Sequence, residues 1–397
     1  MKQVLTVSCK IVVALEQLPK VDNTLQVFAD ACQYVHQEVP EALTNEIAMQ
    51  SLIYQSVRER FAIPSQLAIH AIRRVAGNRK TAKSKGDKIK DFAPTSVTYD
   101  ARTFQFREKD WTVSLTMVGK RERFRLHIGN YQKSLLKGQN PKSAVLVVKN
   151  GEYRLNIQLE SHPEPPPKVD KVLGVDLGRT DIAVISDGES FSGKDIREVR
   201  DHYAKLRASI QKKAAKGTRS TRRRARRLLQ RLSGKEKRFQ QHNNHVISKH
   251  IVRVAKTTNR AISLEDLTGI RERTNEMPRS KTERRRSNSW AFYQLRQFLV
   301  YKAIGASVKL ILVNPAYTSQ TCHSCNHIHP VRGESYRSGK KFACGHCGWI
   351  GDADLNGAKN IEAIGRSINT PGGSGLVCSL EEHVLGLLKP PSLYRVG

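Results

Sequence analysis

The chain has 397 residues, with 68 Lys and Arg against 36 Asp and Glu, for a formal charge of +32. That length suffices for two or three domains, each burying its own core. So large an excess of one sign repels itself in a compact state unless a polyanion neutralises it, and clustered Lys and Arg point to nucleic acid. A membrane surface is disfavoured, because the chain has no long apolar run and no basic amphipathic helix with an aromatic face.

In chain order, the first fifteen residues are interrupted by Lys10 and carry no small-residue cleavage signal. They read as a strand over Val4 to Val13 and not as a secretion signal. From Val21 to Gly77 the apolar spacing is helical. Leu25, Phe28, Ala29, Cys32 and Val35 form one face, Leu52, Ile53, Val57 and Phe61 a second, and Leu67, Ala68, Ala71, Ile72 and Val75 a third. The Lys- and Arg-crowded stretch from Asn78 to Lys90 reads as a loop. Between Thr95 and Glu160 the period changes to two, with strands at 103–106, 111–115, 123–128 and 144–148 separated by Gly and Asn turns. The economical reading is a β-barrel-like module over 1–16 and 92–165, with a helical insert over 17–91.

Pro163-Glu-Pro165-Pro166-Pro167 reads as a stiff linker and the main boundary. Beyond it the pattern is α/β. Val172–Asp176 and Asp181–Ser186 read as strands joined by a tight turn, a long basic helical stretch spans Ile196 to Lys256, and Arg260–Glu265 is a strand. A helix over 289–305 and a strand over 308–313 follow, then a cysteine-rich segment, a final helix over 356–368 and a flexible tail over 371–397. Between Asp201 and Gln240 there are fifteen Lys or Arg against two acids, centred on Arg222, Arg223, Arg224, Arg226 and Arg227. Leu228, Leu229, Leu232, Phe239, Val246, Ile247, Ile251 and Val254 recur at helical spacing and give this run a packed side. An ordered basic helix of this kind is suited to tracking a nucleic-acid duplex by its backbone, whereas a bare charge run is a solvated tail. Arg279 to Arg286 is basic with no apolar face and reads as a loop.

Four cysteines carry the sharpest signal. Cys322-His-Ser-Cys325, eighteen intervening residues, and Cys344-Gly-His-Cys347 make two knuckles suited to one tetrahedral zinc ion. Complete ligation by four thiolates leaves no open position, so the zinc is structural, and His323, His327, His329 and His346 read as spacers or nucleic-acid contacts. Cys9, Cys32 and Cys378 are isolated, which argues for a reducing, cytoplasmic compartment.

Three acids stand at the ends of apolar elements: Asp176 and Glu265 each close a strand, and Asp354 falls at the expected N-cap of the last helix. Singly, they read as a turn former, a surface charge and a cap. If tertiary structure brings them together, their repulsion calls for bound cations, and hard oxygen ligands suit Mg2+ or Mn2+ in a phosphodiester-cleaving site.

The order of these segments resembles the TnpB family, transposon-encoded RNA-guided DNA endonucleases related to type V CRISPR effectors. The resemblance rests on Gly174-Val-Asp176-Leu-Gly178, Ser263-Leu-Glu265-Asp-Leu267, Thr318-Ser-Gln-Thr-Cys322-His-Ser-Cys325, Cys344-Gly-His-Cys347-Gly and Asp352-Ala-Asp354-Leu-Asn356-Gly-Ala-Lys-Asn360. It implies an α/β RNase H-like (RuvC) nuclease domain over 170–315 and 350–370 with a zinc ribbon inserted over 316–349. It also implies a wedge-type barrel with a helical recognition insert in the N-terminal half. Asp176, Glu265 and Asp354 would hold magnesium, with Asp352 the second choice for the third acid. A guide RNA and target double-stranded DNA would be the partners, of a protein expected to be monomeric. Tyr54, Gln55, Arg73, Arg74 and Asn78, on or near the inserted helices, would read a short motif beside the target. A compact type V CRISPR effector, an RNA-guided repressor, a zinc-ribbon RNA-binding protein and a cut-and-paste transposase are the competing readings. The three acids together, with the ribbon between the second and third, favour the guided nuclease.

Overall fold

A computed structural model describes residues 3–149, 151–178, 180–268, 280, 292–331 and 333–370. The chain divides into two compact units that meet in sequence at His162–Pro163.

In the N-terminal unit β1 (Gln3–Val12) is followed by three helices, α1 (Leu18–Glu38), α2 (Glu46–Phe61) and α3 (Ser65–Lys85). Then come β2 (Ser96–Tyr99), β3 (Phe104–Arg107), β4 (Thr112–Thr116), β5 (Arg121–His127), the short α4 (Asn130–Leu136), β6 (Ser143–Lys149) and β7 (Glu152–Ser161). The strands form one antiparallel sheet in the order β2-β6-β7-β1-β5-β4-β3. Its two edges, β2 and β3, are consecutive in the chain and joined by the Asp100–Thr103 turn. The sheet therefore curls until its edges lie within one turn of each other. Val7, Cys9 and Ile11 of β1, Phe124 and Leu126 of β5 and Leu155 and Ile157 of β7 alternate into a core that Phe28, Cys32, Leu67 and Val75 of the helices share.

The expected loop from Asn78 is instead helix as far as Lys85. Lys and Arg are good helix formers, and Arg79 fixes this stretch. Its guanidinium, 3% exposed, donates to the carbonyls of His36, Val39, Pro40 and Leu43 at 2.6–2.9 Å. His36 and Val39 are at the C-terminal end of α1, where a cation is favoured, and Pro40 and Leu43 lie in the segment after it. The helix stops at Gly86, whose φ of +68° suits the left-handed cap.

The second unit begins with β8 (Val172–Asp176), β9 (Asp181–Ile185) and β10 (Ser190–Ser192). Three helices follow where one long stretch was expected: α5 (Lys194–Lys216), α6 (Arg219–Leu232) and α7 (Lys235–Thr257). Thr218 caps α6 by accepting from Thr221 N, and Gly234, at φ +76°, separates α6 from α7. The expected packed side exists on α7, through Ile247 and Ile251, whereas α6 buries only Ala225 and leaves Leu228 exposed. Then come β11 (Ala261–Glu265), α8 (Phe292–Gly305), β12 (Leu310–Val313), the small strands β13 (Arg337–Ser338), β14 (Lys341–Ala343) and β15 (Ile350–Asp352), and α9 (Ala353–Asn369). The basic stretch at 279–286 (Ser280 apart), Cys378 and the expected tail at 371–397 lie outside the described residues.

The main sheet runs β10-β9-β8-β11-β12, with β8, β11 and β12 parallel and the other pairs antiparallel. Every residue of β8, β9 and β11 is buried, because both faces are covered. Leu173, Val175, Ile262 and Leu264 pack with α7 and α8, while Val172 and Ala261 pack with Ile361 of α9. On the α9 face the helix lies almost on the backbone. A Cβ at Gly174 would stand 2.0 Å from Ala358 O, and one at Gly365 would stand 2.4 Å from Ser263 Oγ. Gly174→Ala is therefore expected to push α9 off β8 and lower the melting temperature by about 3–10 °C, following roughly 1–3 kcal/mol of overpacking. Gly77→Ala in α3, with nothing within 4 Å, should be neutral or stabilising in the same calorimetric comparison.

Candidate active site

Strand parity brings two of the acids together. Residues 172, 174 and 176 of β8 and 261, 263 and 265 of β11 face α9, and the parallel register pairs Gly174 with Ser263 and Val175 with Leu264. Continued by one step, it sets Asp176 beside Glu265 at the C-terminal ends of adjacent strands, about 4.8 Å apart by strand spacing. The helix brings the third. A Cβ at Gly357 would touch Asp176 Oδ2 at 3.4 Å, so the start of α9 lies against Asp176, and Asp354 stands three residues before Gly357 on that helix. Asp354 is not the N-cap that was expected. Asp352 holds that position, accepting from Asp354 N and Leu355 N at 2.9 Å, which frees the Asp354 carboxylate to face inward. Asp352 is thereby engaged in capping.

All three carboxylates are less than 9% exposed. Burial, then the charges of Glu265 and Asp354, push Asp176 up to about 8, against a smaller opposing effect of Arg337. Burial likewise raises Glu265, partly offset by the hydrogen bond that Thr318 Oγ1 donates to its Oε1. Two cations answer this negative charge, both from the β13–β14 hairpin. Arg337 Nη2 donates to Asp354 Oδ1 at 2.7 Å, and Lys340 pairs with Asp181 and stands 3.8 Å from Asp354 Oδ2. Arg337, Lys340, Asp181 and Thr318 had not been singled out as site residues. Thr318 lies inside a quoted motif, and Asp181 begins an expected strand, but nothing in the sequence places Arg337 or Lys340 near acids some distance away in the chain. An all-carboxylate donor set, its charge answered by the side chains of Arg337 and Lys340, is one that a hard divalent ion fits.

The four cysteines also converge. Their sulfurs lie within 4.8 Å of one another, with Cys322–Cys347 and Cys325–Cys344 both at 3.7 Å. A tetrahedron with Zn–S of about 2.3 Å has edges of about 3.8 Å, so the cluster fits a structural zinc ion. The neighbouring histidines are engaged otherwise: His323 with Asn356 and Lys359, His327 stacked on His346, and His329 with Glu334.

The proposed nucleic-acid contacts fall into two groups. Arg222, Arg223, Arg224, Arg226 and Arg227 are all exposed on α6, a fourteen-residue helix with no acid in it. In the other unit, Gln55, Arg73 and Asn78 are exposed, Gln55 paired to Glu59 and Arg73 to Glu46. Tyr54 is half-buried against the core. Arg74 is engaged inside the protein: its guanidinium donates to Ser96 O and Thr98 Oγ1 and lies over the Phe28 ring at 4.7 Å.

Comparison with known proteins adds three kinds of match. A family model described as "Probable transposase" matches residues 155–268, and one described as "Cas12f1-like, TNB domain" matches 292–361. The chain is 31% identical over 243 residues to a CRISPR-associated endodeoxyribonuclease Cas12f1 of Sulfoacidibacillus thermotolerans, covering 57% of this chain and 54% of that one. It is 32% identical over 166 residues to a TnpB-like protein of Methanocaldococcus jannaschii, covering 42% and 56%. The chain thus spans about half the length of these curated relatives. A solved Cas12f1–sgRNA–target DNA complex shares the fold at a TM-score of 0.63 and 13% identity, over 91% of this chain and 99% of that one. No helix among the described residues is long and apolar enough to cross a membrane.

The raised Asp176 sets a pH dependence of unusual sign. Between the ordinary carboxylate range and about 8 the folded state holds a proton that the unfolded chain has released, so the metal-free protein loses stability as pH rises through that window. Asp176→Asn removes this loss. At pH 8 without metal it should melt about 5–10 °C above wild type, with the gap narrowing towards pH 5. Equal melting temperatures at pH 8 would show that the acid is not held under repulsion.

Proposed function

We propose that the chain is a TnpB-type RNA-guided DNA endonuclease whose phosphodiester hydrolysis is carried by Asp176, Glu265 and Asp354, a reading that its matches to a transposase model and to TnpB-like and Cas12f1 relatives support. The observation that carries this reading is that three buried carboxylates, from two strand ends and one helix start, stand near enough for the charges of Glu265 and Asp354 to raise Asp176. Mg2+ or Mn2+ held there would activate a water molecule and stabilise the leaving oxygen of a phosphodiester. Asp176 and Glu265 offer oxygens from neighbouring strand ends, and Asp354 offers its own from the first turn of α9. Arg337 and Lys340 compensate the acids, and with a divalent ion held there they would be free to meet a DNA phosphate.

In the finer architecture we assign a wedge-type barrel to 1–16 and 92–165, a recognition insert to 17–91, a RuvC-type nuclease domain to 170–315 and 350–370, and a zinc ribbon to 316–349. The curled sheet and its inserted helices support the first two, and the α9-covered sheet and the four-cysteine cluster the others. Guide RNA and target double-stranded DNA are the proposed partners. Sequence specificity would come from base pairing, with α6 and the exposed Gln55, Arg73 and Asn78 supplying backbone charge and the check of a flanking motif. The Cas12f1 match favours one second reading, a compact type V effector, which a neighbouring repeat array in the genome would reveal.

The test is to co-express the chain with its downstream genomic sequence, purify the ribonucleoprotein and assay Mg2+-dependent cleavage of a plasmid library with randomised flanks. Cleavage should follow the co-purified RNA. Asp176→Ala, Glu265→Ala and Asp354→Ala should each reduce it by roughly a thousandfold or more, and together no further. RNA-dependent binding without cleavage would replace the nuclease by a repressor, and a protein that retains no RNA would contradict both.

A further inference from the structure

Glu265 is held by more than its own strand. Thr318, 1% exposed, lies in the turn that enters the first zinc knuckle, and its hydroxyl donates to Glu265 Oε1, with Pro315 O also within reach at 3.0 Å. The turn is closed by Gln320 N and Thr321 N donating to Tyr317 O, and Cys322 follows directly. It is also bolted to α9. Asn360 Nδ2 donates to Thr318 O at 2.9 Å and Thr321 O at 2.7 Å, Asn356 Nδ2 donates to Thr321 O at 2.7 Å, and Asn356 Oδ1 accepts from His323 N at 2.9 Å. Both asparagines are nearly or fully buried and sit two and six residues beyond Asp354 on the same helix. One continuous hydrogen-bond network thus links the helix that carries the third acid, the knuckle that carries the first zinc ligand and the second acid.

We infer that Thr318 is a positioning residue for Glu265, through which the zinc knuckle sets the affinity of the carboxylate site for its divalent ion. By occupying Oε1, the hydroxyl restrains the carboxylate's rotation and leaves Oε2 for a metal ion. Without it, the buried carboxylate loses the donor that favours its ionised form and can rotate away from the shared point. Partners that orient a metal-binding carboxylate in this way typically govern metal affinity by roughly 10- to 100-fold. The inference rests on the nuclease reading of the three acids.

The test compares the full-length, zinc-loaded protein with Thr318→Val, Thr318→Ser and Asp176→Ala, reading Mn2+ binding by electron paramagnetic resonance alongside zinc content and melting temperature. Thr318→Val keeps the shape and removes the hydroxyl, and Thr318→Ser restores it. Wild type should show one Mn2+ site that Asp176→Ala abolishes. Thr318→Val should bind there roughly 10- to 100-fold more weakly with a full complement of zinc, and Thr318→Ser should return to within about threefold of wild type. In the ribonucleoprotein, the Mn2+ concentration for half-maximal cleavage should shift in parallel, while RNA retention stays unchanged. Wild-type Mn2+ affinity in Thr318→Val, or weakened binding that Thr318→Ser does not rescue, would overturn the positioning role and leave the nuclease reading intact. A wild-type protein with no Asp176-dependent Mn2+ site would overturn the nuclease reading, and this inference with it.

Discussion

Burying Asp176 beside the charges of Glu265 and Asp354 is the constraint around which the second unit is organised. In a low-dielectric interior, charged groups of like sign resist both desolvation and each other, and Asp176 registers this by holding its proton to about 8. The fold tolerates the strain because it supplies positive charge locally. Arg337 and Lys340, on one small hairpin beside the four-cysteine cluster, reach Asp354 and Asp181. The four-cysteine cluster holds that hairpin, and the asparagines of α9 hold the knuckle before it. The ribbon is then more than an independent knob: its fold decides where the compensating cations and the Thr318 hydroxyl stand.

Close approach is the second requirement. Three acids on separate elements meet only if α9 lies hard against β8 and β11, which Gly174 and Gly365 permit by leaving no side chain in the contact. The position of Asp354 then follows from the capping of α9. Because Asp352 takes the N-cap, the carboxylate two residues on is turned into the site and not onto its own backbone. A shift of one residue in either the glycine seam or the cap would separate the acids.

Much of this was legible in the sequence, and the failures have physical causes. Strand ends at Asp176 and Glu265 were readable because continuous apolar runs ending in an acid are rare and energetically marked. The cysteine knuckles were readable because zinc fixes their spacing. The helix over 78–85 was missed because lysines and arginines signal a solvated surface whether helical or not, and the buried Arg79 that anchors it looks like its neighbours in sequence. Asp354 was given the wrong local position because Asp352 and Asp354 are both good caps, and only the geometry decides between them. Arg337 and Lys340 carried no local signal, since their partners lie on other elements. The packed side expected along the basic run belongs to α7, while α6 buries only Ala225 and turns its arginines to solvent. Without a polyanion such a helix repels itself along its length, since like charges four residues apart oppose helix formation.

The central claim is that Asp176, Glu265 and Asp354 together hold a divalent ion. The most direct measurement is a crystal or cryo-EM structure of the full-length protein with Mn2+, with the metal located by anomalous scattering or by density lost on chelation. The account predicts metal in contact with all three carboxylates, with Arg337 and Lys340 drawn away from Asp354 and the zinc ribbon unchanged. Manganese found elsewhere, or Asp354 still paired to Arg337 and Lys340 at saturating metal, would contradict it.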